Sequence, residues 1–79
     1  MSIRTTIDTI FQQVAREQHR TLSHLSDDVK LMQTGLDSLS FALIVAALED
    51  SLGFDPFEHI DSFPVTFGDF VKLYENHPR

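Results

Sequence analysis

Thr34-Gly35-Leu36-Asp37-Ser38-Leu39 stands where an irregular stretch ends and a strongly apolar segment, Phe41 to Leu48, begins. Gly35 admits backbone dihedrals that a side chain forbids. Asp37 and Ser38 both suit the start of a helix, because their oxygens accept hydrogen bonds from the unpaired N–H groups of a first turn. The same helix end carries partial positive charge and can hold a phosphate. Capping alone explains Ser38 on local pattern. A serine hydroxyl at this edge is also well placed to carry a phosphate ester.

Downstream, a helix is predicted from Ser38 to Leu52, with Gly53 as its stop. Its interior is apolar all round, which requires either deep burial or an apolar side kept for contacts. Phe41, Ile44, Val45, Leu48 and Leu52 share one face and are the expected core. Leu39, Leu43, Ala46 and Ala42 then point elsewhere, toward a partner or a cargo. Asp55 before Pro56 predicts a cap and a short third helix over Pro56 to Asp61. Phe54, Phe57, Ile60 and Phe63 are expected to plug the core, the alternative being that some of them line a resting place for a cargo. Pro64 interrupts the chain. Thr66, with Asp69 three residues on, then opens a last helix in capping-box fashion, and Phe67, Phe70, Val71 and Tyr74 recur at helical spacing. Gly68 is expected only to weaken that first turn, and residues 77–79 to fray.

Upstream, Ile3, Ile7, Ile10, Phe11 and Val14 form one stripe of a first helix running from Ser2 to His19 or Arg20. Thr21 to Asp37 reads as a long connection, uncommon in a compact domain unless functional. Leu22, Leu25, Val29, Leu31 and Met32 are scattered through it and should pack it down, and Ser26-Asp27-Asp28 suits a single turn.

Seventy-nine residues make one small domain, 1–79, with a modest core. The absence of cysteine excludes disulfides, thiolate metal sites and a built-in thiol. Net charge is −6, and no Lys or Arg lies between Lys30 and Lys72, an interval that holds seven acidic residues from Asp37 to Asp69. That field repels nucleic acid and attracts basic protein surfaces. Nothing resembles a signal peptide or reaches the ~20 apolar residues of a membrane span, so a soluble cytoplasmic monomer is expected. A serine hydrolase elbow would need glycines where Leu36 and Ser40 stand. His19, His24, His59 and His77 are not spaced as metal ligands. Neither an enzyme nor a metal site is expected.

Gly35-Leu36-Asp37-Ser38-Leu39 in a small acidic chain of about four helices resembles the acyl carrier protein family. Thr66-Phe67-Gly68-Asp69-Phe70-Val71 resembles the start of that family's last helix, and Leu31 the leucine its loops tuck into the core. The resemblance covers nearly the whole chain. It implies an all-α four-helix bundle of acyl-carrier type, with three main helices, one short one, and a long loop after the first. It also implies 4′-phosphopantetheine, donated by coenzyme A and attached to Ser38, with Gly35, Asp37 and Leu39 read by the attaching phosphopantetheinyl transferase. The cargo would be an acyl thioester, passed among loading and processing enzymes of a lipid or secondary-metabolite pathway. A free-standing aminoacyl or peptidyl carrier and a helical interaction module without a prosthetic group are the alternatives. Leu39, Leu43, Glu49 and Asp50 are the expected docking residues. Ser40 and Leu43 replace acidic residues that many fatty-acid carriers bear on this helix, which implies dedicated partners with a more apolar docking surface.

Overall fold

The computed structural model of the chain describes residues 2–59 and 62–76. Helix α1 spans Ile3–Glu17, α2 Ser38–Leu52 and α3 Phe67–Glu75, with short 3-10 turns at Leu31–Gln33 and Pro56–His59. Among the described residues there is no sheet, only one antiparallel bridge between Lys30 and Thr66. The all-α expectation holds. The predicted third helix is corrected to a four-residue 3-10 turn. Asp55 Oδ1 accepts the Phe57 N–H at 2.9 Å, fixing its start as the sequence implied, and one tight turn is the usual length of such a piece. The expectations for Ile60, Asp61 and residues 77–79 lie outside the described residues.

Local chemistry sets the helix ends. Ser2 Oγ accepts the Thr5 N–H at 3.1 Å and opens α1. The helix stops two or three residues short of its predicted end, because His19 takes a left-handed conformation at φ 57. The chain then turns back on itself. His19 N–H donates to the Arg16 carbonyl at 3.2 Å and Arg20 N–H to the Ala15 carbonyl at 2.8 Å, the paired bonds that close a helix C-terminus. Glycine normally occupies that left-handed position, since a side chain there is strained. At α3, Thr66 Oγ1 accepts the Asp69 N–H at 3.1 Å and Asp69 Oδ2 accepts the Thr66 N–H at 3.4 Å. The predicted reciprocal cap is present.

Apolar residues of all three helices meet at Phe11. Its ring meets Phe67 at 5.2 Å, Phe70 at 5.3 Å and Phe41 at 6.2 Å, each edge to face. Burial of such a side chain is worth about 1.5–3 kcal/mol. Ile7, Ile10, Val14, Ile44, Leu48, Val71 and Tyr74 complete this centre. The Tyr74 hydroxyl has no hydrogen-bond partner among the described residues. Burial pushes its pKa far above the usual phenol range, and Asp55 and Glu49 add to the effect. Several residues expected in the core are less deeply buried. Val45 and Leu52 are only half-buried, and Phe63 is 51% exposed, stacked on Phe57 at 5.3 Å rather than inserted. Phe54 and Phe57 are themselves half-buried against the core.

The connection between α1 and α2 is ordered by its backbone bonds. Ser23 N–H donates to the Thr34 carbonyl, Leu31 N–H to Val65, Phe67 N–H to Val29 and Gly68 N–H to Asp27, each at 2.9 Å. These satisfy polar groups that a buried loop would otherwise leave unpaired. Leu31 is 1% exposed, tucked inward as expected. Arg4 pairs with Asp27 and lies over the Phe67 ring at 5.7 Å, pinning the turn at residues 27–28 to the helices. Gly68 does more than weaken a turn. A Cβ there would sit 2.8 Å from the Asp27 carbonyl oxygen, so the glycine is what lets the connection approach α3.

Two substitutions should therefore act in opposite directions in chemical denaturation. His19→Gly relieves the left-handed strain and should raise stability by about 1 kcal/mol. Gly68→Ala gains up to ~1 kcal/mol of helix propensity, yet should lose about 1–3 kcal/mol net as the connection is pushed away. A stabilising Gly68→Ala would refute the close approach.

Candidate functional site

The turn before α2 is held from beneath. Leu36 is buried in the core, and the buried Thr34 hydroxyl donates to the Leu31 carbonyl at 2.7 Å. Between them Gly35, at φ 97, passes so close to the Thr21 carbonyl that a Cβ would collide with that oxygen. Asp37 follows in extended conformation and caps the helix, its Oδ1 accepting the Ser40 N–H at 2.9 Å. Its other oxygen, Oδ2, accepts a hydrogen bond from Arg20 Nη2 at 2.5 Å. The Ser40 N–H, reinforced by the nearby Arg20 guanidinium, holds the Asp37 carboxyl below the usual carboxylate range.

Ser38 is thereby the first residue of α2 and exposed. The N–H groups of Ser38 and Leu39 have no acceptor within the helix, as at any helix start. An open groove of about 730 Å³ begins at Ser38 and runs along α2 past Phe41, Ala42, Val45 and Ala46 to Glu49. Met32, Phe57, Ser62 and Phe63 form its other wall. Its lining is mostly apolar.

The rotation of about 100° per residue divides α2 into three sides. Phe41, Ile44 and Leu48 face the core, with buried Ser40 beside them. A second side lines the groove. Leu39, Leu43 and Asp50 fall on a third side, all exposed, with Leu39 at 58%. The expected docking residues are thus divided: Leu39, Leu43 and Asp50 share the outer stripe, while Glu49 turns to the groove. Gly35, Asp37, Ser38 and Leu39 are brought together at one edge, as their adjacency requires.

Arg20, Thr21 and Met32 were not read from sequence as parts of this edge, whereas Phe63 was read both as core and as lining for a cargo. All four reach it through tertiary packing. The one available signal was the absence of Lys and Arg from residues 31–71, which leaves any cation beside Ser38 to come from a distant segment.

The geometry suits an anionic ester more than a hydrolytic centre. An exposed primary hydroxyl stands at a helix N-terminus, next to a carboxylate already committed to a cap and an ion pair. Among the described residues no three His, Cys, Asp or Glu side chains are grouped to hold a metal, and no helix is long and apolar enough to cross a membrane.

Because the Asp37 carboxyl is lowered in the folded state, its contribution to stability is present above the ordinary carboxylate pKa and is lost as pH falls through the lowered value. Asp37→Ala should therefore lower the unfolding midpoint at neutral pH, with parent and variant converging in strong acid. A difference that persists undiminished at acid pH would contradict the charged cap.

A family model described as the phosphopantetheine attachment site matches residues 6–58, from α1 through α2 into the second 3-10 turn. Comparisons with curated proteins and with solved structures return no match.

Proposed function

The chain belongs to that phosphopantetheine-binding family of non-catalytic carrier domains, and we propose that it is an acyl carrier whose prosthetic group is esterified to Ser38. The carrying observation is the exposure of the Ser38 hydroxyl at the first position of α2, where an apolar groove also begins. The residues fit the group. Helix N–H groups at Ser38 and a guanidinium bonded to the preceding Asp37 suit a phosphodiester, and the groove offers an apolar bed beyond it. When bound, phosphopantetheine supplies the thiol that this cysteine-free chain lacks, so that an acyl group can be held as a thioester.

The chain's own residues have three tasks in this reading. Gly35 and Asp37 hold the turn that a phosphopantetheinyl transferase reads, together with Ser38 and Leu39. Phe41, Ala42, Val45 and Phe63 offer apolar surface to the cargo, which supports an acyl group over an aminoacyl one. Leu39, Leu43 and Asp50 present a stripe to partner enzymes, and its two leucines favour dedicated partners of a specialised lipid or secondary-metabolite pathway. Residues 1–79 act as one domain of acyl-carrier type, with the 3-10 turn Pro56–His59 standing in place of the short helix.

Incubation with coenzyme A, magnesium and a broad-specificity phosphopantetheinyl transferase should raise the intact mass by one phosphopantetheine, and Ser38→Ala should abolish the gain. Ser38 is not the capping residue of α2, so the variant should keep its helical circular dichroism. No gain by the folded parent with an active transferase, or a gain that survives Ser38→Ala, would overturn the assignment.

A further inference from the structure

Attaching a phosphodiester to Ser38 places a negative charge one residue from Asp37, in a chain already at −6 with no Lys or Arg from residue 31 to 71. The helix N–H groups offset part of that charge, and a nearby cation would offset more. Arg4 is paired with Asp27, and Arg16 lies among the polar residues of the α1 surface, alongside Asp8, Gln12 and Glu17. Arg20 differs. The reversed C-terminus of α1 carries it to Asp37, where Nη2 donates to Oδ2 at 2.5 Å and both side chains remain over two-fifths exposed. One N–H donor of the guanidinium is used in that bond. The planar fork has others, suited to the oxygens of a phosphate.

We infer that Arg20 holds the phosphodiester of the group carried by Ser38, bridging it to the Asp37 carboxylate and fixing the direction in which the arm leaves the helix. The inference rests on Ser38 being the attachment residue. Arg20 is a positioning residue in this role: it anchors the arm at its root and takes no part in cargo chemistry. The Asp37 pair aligns the guanidinium before the group arrives, so little side-chain freedom is left to lose.

The test compares parent, Arg20→Ala and Arg20→Lys, each unloaded and loaded, with loading verified by intact mass. Loading should shift the thermal midpoint more favourably in the parent than in Arg20→Ala, by about 2–6 °C at low salt. That gap should shrink at 1 M salt, and Arg20→Lys should recover part of it, as a point charge without the fork. The ³¹P resonance of the loaded group should also move between the parent and Arg20→Ala. In the unmutated protein the Arg20 Nε–H resonance should shift on loading, a readout that survives even if a variant folds poorly. Equal midpoint shifts in loaded parent and Arg20→Ala, or an Arg20 resonance unmoved by loading, would assign Arg20 to Asp37 alone and overturn the inference. A parent that gains no mass would overturn the Ser38 assignment itself, and this inference with it.

Discussion

The passage of Gly35 across the Thr21 carbonyl is the constraint on which the site depends. Two backbone segments lie closer there than any side chain allows. One leaves α1 and the other enters α2, so their approach fixes the end of the first helix against the beginning of the second. Leu31 and Leu36 anchor the same connection from the core side, and the Ser23–Thr34 bond ties its two ends together. Ser38 is exposed because everything just before it is held. A flexible approach to α2 would leave the helix start frayed, its cap unaligned and its N–H groups unfocused.

Helix α2 then serves three surroundings with one sequence. A helix apolar all round is usually buried, yet only the side bearing Phe41, Ile44 and Leu48 is. The groove side carries smaller residues, Ala42, Val45 and Ala46, which leave room between α2 and the Phe57–Phe63 stack. The outer side carries Leu39 and Leu43. Apolar area left on two separate sides costs solubility, which the acidic surroundings offset. In the proposed role these sides would answer separate needs, shelter for a cargo and recognition by a partner. The two can be altered independently.

Features fixed by neighbours in sequence were legible in advance. Both ends of α2 were read correctly, because Asp37 caps through Ser40, three residues on, and Gly53 stops the helix through its own positive φ of 82. The Thr66–Asp69 cap and the helical recurrence of Phe67, Phe70, Val71 and Tyr74 are equally local. What escaped was set by contacts across the fold. Gly68 looked like a weak point because the Asp27 carbonyl it admits lies 41 residues away in the chain. Phe63 was read as core first and as cargo lining second, because its hydrophobicity is visible in sequence, whereas the groove it flanks is not. Arg20 was read only as a candidate end of the first helix, since nothing in residues 16–20 states that His19 will take a left-handed turn and aim the next side chain at Asp37.

A Ser38 edge resting on an ordered connection has a direct signature in native-state amide hydrogen exchange. The amides of Ser23, Leu31 and Phe67 donate across the connection to Thr34, Val65 and Val29. They should exchange in the unloaded protein with protection comparable to the interior amides of α2, opening only when the fold as a whole opens. Exchange at these three positions near the rate of an unstructured chain, with α2 still protected, would mean that the connection does not hold the site in place.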